Sequence, residues 1–322
     1  MSGGKGSLGR LLVTGASGFL GGHVAYLAAH HWSVYGTWHE HPFRLRGVEA
    51  VQLRLDDERD VRRLLDTVRP HVVIHCAALT DLDYCESDPD EAQLINVEAT
   101  KTIASWCGDN AARMIFVSSD MVFDGCTGWY RETDSPRALN VYGQTKVEAE
   151  RAVQALCANH IIARSALIYG RPRTGGSSFF TWIEQRLAAG EPVPLFVDQY
   201  RTPILVSDLA AALVELSSKD FVGVLHLAGP ERVDRFTFGV HVADLLDHDK
   251  CLLLRRTMAE VPLGAPRPRD VSLCTERAQR LLVTRLHGVR DGLRRMITRD
   301  GTEVTLTSSS SGSEEPGAGE VC

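Results

Sequence analysis

Residues Val13 to His30 read VTGASGFLGGHVAYLAAH. A short apolar run, Arg10–Thr14, ends in three glycines spaced three apart, Gly15, Gly18 and Gly21, and an apolar helical run from Leu20 to His30 follows. At a strand-to-helix turn, missing Cβ atoms let the backbone approach a pyrophosphate, and the helix N-terminus faces its charge. The stretch therefore predicts a dinucleotide cradle made by Gly15, Ser17, Gly18, Phe19, Leu20 and Gly21. With it comes an α/β fold, because such a turn closes the first strand of a parallel sheet.

The rest of the first half keeps the same rhythm. Strands are expected near Ser33–Thr37, Ala50–Leu55, His71–Ala77, Arg113–Ser118 and His160–Ala166, with helices over Asp57–Val68, Glu91–Cys107 and Val141–Cys157. Strand and helix alternating in this way imply a doubly wound parallel sheet. The expected division is a dinucleotide-binding domain over 8–170, joined by a strand returning near Gly223–Gly229, and a smaller mixed substrate lobe over 171–300. That lobe opens with a loop, RPRTGGSS, and a helix near Phe179–Ala189. From Ser308 to Cys322 the sequence SSSSGSEEPGAGEVC has almost no apolar side chain to bury, so a disordered tail is expected.

The chain has 322 residues, 44% of them hydrophobic, and a formal net charge of −6 with its Lys and Arg scattered. No basic footprint for nucleic acid results. The eight cysteines form no C-x-x-C pair and several lie in apolar runs, which reads as reduced thiols in the cytoplasm. The opening MSGGKGSLGR lacks an apolar signal region, and no window reaches the ~18 apolar residues of a membrane span, so a soluble protein without a membrane partner is expected. His39 and His41 form an H-x-H with no further matched ligands, and no metal is expected there.

Further cofactor contacts follow from the strand ends. Asp56, just past the third strand, is placed to accept from an adenine amino group or to cap the next helix. Ala77, Ala78 and Leu79 end the fourth strand with side chains small enough for a cofactor to lie against the sheet edge. After the second strand, where NAD enzymes offer a ribose-binding carboxylate, the chain has Thr37, Trp38 and His39, with Arg44 and Arg46 beyond and Glu40 one register step away. NADPH is therefore favoured over NADH.

The fifth strand runs into Ser119, and the helix after it carries Tyr142 and Lys146 four residues apart, hence on one face. Adding hydride to a carbonyl requires a proton for the developing alkoxide and a donor to polarise the oxygen. Tyr142 suits the first task and Ser119 the second. Lys146 is expected to lower the phenol's pKa and to bond a nicotinamide ribose.

Together these residues resemble the extended short-chain dehydrogenase/reductases, and more narrowly the dTDP-4-dehydrorhamnose reductase family, over roughly Arg10 to Leu282. The carriers are VTGASGFLG, AALTDLDYCESDPDEAQLINVEAT, SSDMVFDG, YGQTK, DQYRTPILVSDLA and RPRDVSL. The resemblance implies reduction of a 4-keto nucleotide sugar, with Ser119, Tyr142 and Lys146 catalytic and with Thr80, Asp83, Asp120 and the segment near Arg201 facing the sugar nucleotide. Met121 and Leu167 stand where that family commonly has Tyr and Trp. The chain is also similar to the regulatory β subunit of methionine adenosyltransferase, which shares an LGA-RPR pattern with Leu263–Asp270 and binds NADP while docking to an enzyme. A third alternative, a nucleotide-sugar epimerase, requires tightly held NAD and fits less well with the missing carboxylate. A homodimer and an enzyme partner are both compatible with the sequence.

Overall fold

The structure, a computed structural model, describes residues 8–303; the tail expected over Ser308–Cys322 lies outside them. Six parallel strands, with helices between all but the second and third, are β1 (Arg10–Thr14), β2 (Ser33–Trp38), β3 (Val48–Gln52), β4 (Val72–His75), β5 (Arg113–Ser119) and β6 (His160–Ser165). A seventh, Gly223–Leu227, pairs in parallel with β6, giving the order Gly223–Leu227, β6, β5, β4, β1, β2, β3. The order reverses between β1 and β4, and in such sheets ligands bind in the crevice outside the strand ends at that point.

Both faces of the sheet are covered, and the strands show it by alternation. Leu11 and Val13 point to one core with Val24, Ile74, Leu209 and Leu225; Leu12 points to the other with Val61, Leu65, Ile103 and Phe116. The Val206–Leu216 helix belongs to the first of these cores, although it follows the loop that opens the second half. A third core gathers Tyr169, Phe180, Ile183, Val193, Phe238 and Leu293.

Most elements fall within a residue or two of expectation, β4 being Val72–His75 where His71–Ala77 is expected, and two differ more. β3 lies at the sheet edge and ends at Gln52, not Leu55, because its ladder with β2 stops at Trp38 and the chain then turns toward the cleft. The helix expected over Glu91–Cys107 is broken into Pro89–Gln93, a π-helical turn Leu94–Glu98 and Ala99–Asp109. Single π-turns inside helices are frequent at functional sites, and this one carries Asn96, which is buried. Among the described residues no helix is long and apolar enough to cross a membrane. Nor does any group of three or more His, Cys, Asp or Glu come together to hold a metal there.

Candidate active site

The glycine turn is held from below by the sheet. Gly15 has φ +67°, and a Cβ on it would lie 2.9 Å from Ala77 Cα, so the turn rests directly on the end of β4. A Cβ on Gly21 would lie 2.1 Å from Gly15 O, which fixes the helix start against the turn. Thr37 ties it to β2, its hydroxyl accepting from Gly15 N at 3.1 Å and its carbonyl from Ser17 N at 3.4 Å.

Behind the turn runs a buried polar chain. Thr14 Oγ1 accepts from Ala77 N at 3.2 Å and lies 2.7 Å from His75 Nδ1; His75 Nε2 lies 3.1 Å from Thr100 Oγ1. Thr100 spends its own proton on Asn96 O, at 2.7 Å, so it must accept from His75. That assigns the imidazole proton to Nε2 and lets Thr14 donate to Nδ1. Burial, with Lys146 adding to it, lowers His75 to about 3, which keeps the ring neutral. Asn96 completes the chain: its Oδ1 accepts from Leu79 N at 2.8 Å, and its Nδ2 donates to Leu79 O at 3.0 Å and Thr145 Oγ1 at 3.1 Å. Thr145 in turn donates to Tyr142 O at 2.7 Å, so the glycine turn and the helix that carries Tyr142 and Lys146 share one hydrogen-bonded support. Sequence reading missed Asn96; the available signal is a weak helix former inside LINVEAT.

Tyr142 and Lys146 sit in the first turns of the Val141–Leu156 helix, capped by Asn140 Oδ1 accepting from Gly143 N at 2.8 Å. Gly143 is there because a Cβ would fall 2.3 Å from Met121 O. Ser119 ends β5, accepting from Met121 N and donating to Asp120 Oδ1, both at 3.2 Å. The expected lowering of the phenol by Lys146 is not what the packing gives. Burial pushes Tyr142 above its usual value, and its hydrogen bonding with Ser119 pulls against that rise. Lys146 Nζ lies 5.9 Å from the Tyr142 ring centre and donates to Val117 O at 3.0 Å. Burial lowers the lysine itself to about 8, opposed by Cys76 and Glu150. One turn further along the helix, Glu150 takes a two-point ion pair from Arg164 at 2.9 and 2.7 Å and a bond from Ser118 at 2.6 Å.

The far end of the cleft is made by arginines. Arg201 is buried, 3.7 Å from Asp120 Oδ2, and donates to Tyr200 O at 2.6 Å and Pro268 O at 3.2 Å. Burial raises Asp120, with Arg201 and Arg235 pulling it back. Arg235 stacks 4.5 Å over the Phe179 ring, and burial among other guanidinium groups brings it down to about 9. Arg267 completes the group. Asp120 Oδ2 and Arg267 Nη1 are buried without a hydrogen-bond partner.

All the expected cradle residues line one cleft of about 1050 Å³, as do Asp56, Ala77, Ala78, Leu79, Thr80, Ser119, Asp120, Tyr142, Lys146 and Arg201. Asp83 does not. Its carboxylate instead accepts from Ala265 N at 2.7 Å and Arg267 Nη2 at 2.8 Å, holding Arg267 to the cleft wall. Arg44 and Arg46 are exposed and outside the lining, whereas Trp38 and His39 belong to it. The helix cap is Asp57, not Asp56, and Asp56 pairs with Arg54 at 2.7 Å.

Residues 9–301 match the family described as the RmlD substrate binding domain. A probable low-salt glycan biosynthesis reductase, Agl14, of Haloferax volcanii is 36% identical over 264 residues, 80% of this chain and 87% of that protein. The methionine adenosyltransferase 2 subunit beta of Xenopus laevis is 31% identical over 296 residues, 89% of this chain and 87% of that subunit. The crystal structure of dTDP-4-dehydrorhamnose reductase from Bacillus anthracis in complex with NADP has a TM-score of 0.81 at 23% identity, covering 90% of this chain and 99% of that one. At that identity the likeness is one of fold.

Proposed function

The chain belongs to the RmlD substrate-binding-domain family, and from that premise we propose that it is a nicotinamide-dependent reductase of a 4-keto nucleotide sugar. The observation that carries this reading is the meeting, in one cleft, of a glycine cradle, the Ser119–Tyr142–Lys146 set and three guanidinium groups. Residues 8–170 with the returning strand hold the cofactor in this reading, and 171–300 shape the sugar side. The fit of a dinucleotide rests on the cradle itself: glycines stand where a Cβ would strike backbone, and the turn opens onto the cleft at the helix start.

NADPH is preferred over NADH in this reading, because Thr37, Trp38 and His39 line the cleft at the end of β2 and none is an acid. When bound there, the reduced nicotinamide supplies a hydride. Tyr142, kept protonated by burial, hands its proton to the carbonyl oxygen as charge develops. Ser119 holds that oxygen by a hydrogen bond. Lys146, charged below about pH 8, lies beneath the tyrosine ring and stabilises the phenolate left behind. Arg235 and Arg267 receive the anionic part of the sugar nucleotide; Arg201 keeps the wall in shape. A cytoplasmic setting fits the seven described cysteines, all free thiols.

A second reading is a cofactor-binding regulatory subunit, favoured by the relatedness to methionine adenosyltransferase β subunits. One experiment separates the two. Purified protein is mixed with NADPH and a panel of 4-keto nucleotide sugars, and NADPH loss is followed by absorbance. Turnover supports the reductase; NADPH binding without turnover on any sugar overturns it and favours the regulator.

A further inference from the structure

The loop after β6 lies against the cradle in a way the proposed chemistry does not use. We infer that residues 171–176 form a strap that slows cofactor exchange, and that Thr174 is the positioning residue that latches it; this rests on the dinucleotide reading of the cleft. Thr174 Oγ1 lies 3.1 Å from Ala16 O and 3.1 Å from Gly18 O, so one hydroxyl proton is shared between two carbonyls of the glycine turn.

The approach is close enough to dictate glycine at three further positions. A Cβ on Gly22 would lie 2.2 Å from Thr174 Oγ1, and one on Gly175 would lie 2.8 Å from Ser17 O. Gly176 has φ +81°, and its Cβ would lie 3.2 Å from Phe19 N, one of the amides at the helix start. The outer side is pinned as well: His23 Nε2 lies 2.9 Å from Arg171 O, and the Arg173 guanidinium stacks 4.0 Å over the Tyr26 ring. Immediately after the strap, Ser177, Ser178 and Phe179 line the cleft. The segment thus runs from the pyrophosphate end of the cradle to the sugar end, and a phosphate resting on the helix-start amides is bordered by it. In this proposal release of that phosphate displaces Gly176, and the segment is tied to the glycine turn by Thr174, two residues earlier.

The test uses the full chain and the fluorescence of bound NADPH. Thr174→Val keeps the side-chain shape and removes the donor; Thr174→Ser keeps the donor. In stopped-flow displacement, Thr174→Val should release NADPH about tenfold faster and bind it correspondingly more weakly, the scale expected for one neutral hydrogen bond. Thr174→Ser should stay within about twofold of wild type, a hydroxyl being all that the bond requires. NADPH should also slow tryptic cleavage after Arg173 in the wild type, and less so in Thr174→Val. An unchanged release rate in Thr174→Val, or a lower melting temperature with no change in release, overturns the latch. A wild type that binds neither NADPH nor NADH overturns the dinucleotide reading and the strap with it.

Discussion

The two ends of the cleft are built from different materials. The cradle end is backbone: Gly15, Gly18 and Gly21 with their amides and carbonyls, supported by neutral groups such as Thr14, Thr37 and His75 whose hydrogen bonds close on one another. The arginine end is side chain and charge, and it is incomplete. Arg201 and Arg235 face Asp120, Arg267 stands beside them tied to Asp83, and Asp120 Oδ2 and Arg267 Nη1 are buried without a hydrogen bond. A site finished without its ligand selects by shape, whereas a site left with unsatisfied hydrogen-bonding atoms on charged groups selects by what satisfies them. In the proposed reaction Ser119 and Tyr142 stand at the seam, where only the reacting atoms are read.

The largest effect should fall on the seam. Tyr142→Phe keeps the ring and removes the proton, and should lower turnover by about 10²–10⁴ while NADPH and sugar affinities stay within about twofold. A substantially weakened affinity for either ligand would show that the seam also binds, and would blur the division. Next, Arg235→Gln should raise the sugar-nucleotide KM by about 10–100-fold, the worth of a hydrogen bond to a charged group, and leave NADPH affinity unchanged. Equal losses for both ligands would break the contrast.

A pH profile follows in size. Lys146 is charged below about 8, so kcat/KM in the free protein should be flat beneath that value and fall about tenfold per pH unit above it. A flat profile to pH 10 would remove the lysine from the proton step. Smallest is Gly18→Ala, whose Cβ meets only Gly15 O at 3.3 Å and otherwise opens toward the cleft. It should weaken NADPH about fivefold, ~1 kcal/mol, with no change in the sugar KM. A changed sugar KM would show that the cradle's shape reaches the far end.

The same contrast decides what could be read from the sequence. The cradle and the Ser119, Tyr142, Lys146 set are local: glycines three apart after an apolar run, and a phenol and an amine one helical turn apart, each carry their geometry in their spacing. The sheet was legible for the same reason, down to the β1 boundaries. Asn96, Arg235 and Arg267 were not, because each acts on a partner brought close only by folding: Asn96 on Leu79 and Thr145, Arg267 on Asp83. Asp83 shows the cost of reading position without partners: expected at the sugar, it turns outward to hold an arginine. Burial of Tyr142, which raises its phenol, was likewise not legible, since spacing carries the lysine's position on the helix but not the packing around the ring.

The strand Gly223–Leu227 completes the sheet from the far half of the chain, and this sets a timetable for synthesis. When β6 has been made, its outer edge has no partner, and Leu209, Leu213, Leu225 and Leu227 have yet to enter the core beneath it. At 5–20 residues per second, the ~60 residues up to Leu227 take about 3–12 s to translate. For that interval a bare parallel strand and its apolar face are open to other nascent chains. Chaperone dependence during translation should therefore exceed that of the finished protein, and a chain cut after Gly170 should aggregate.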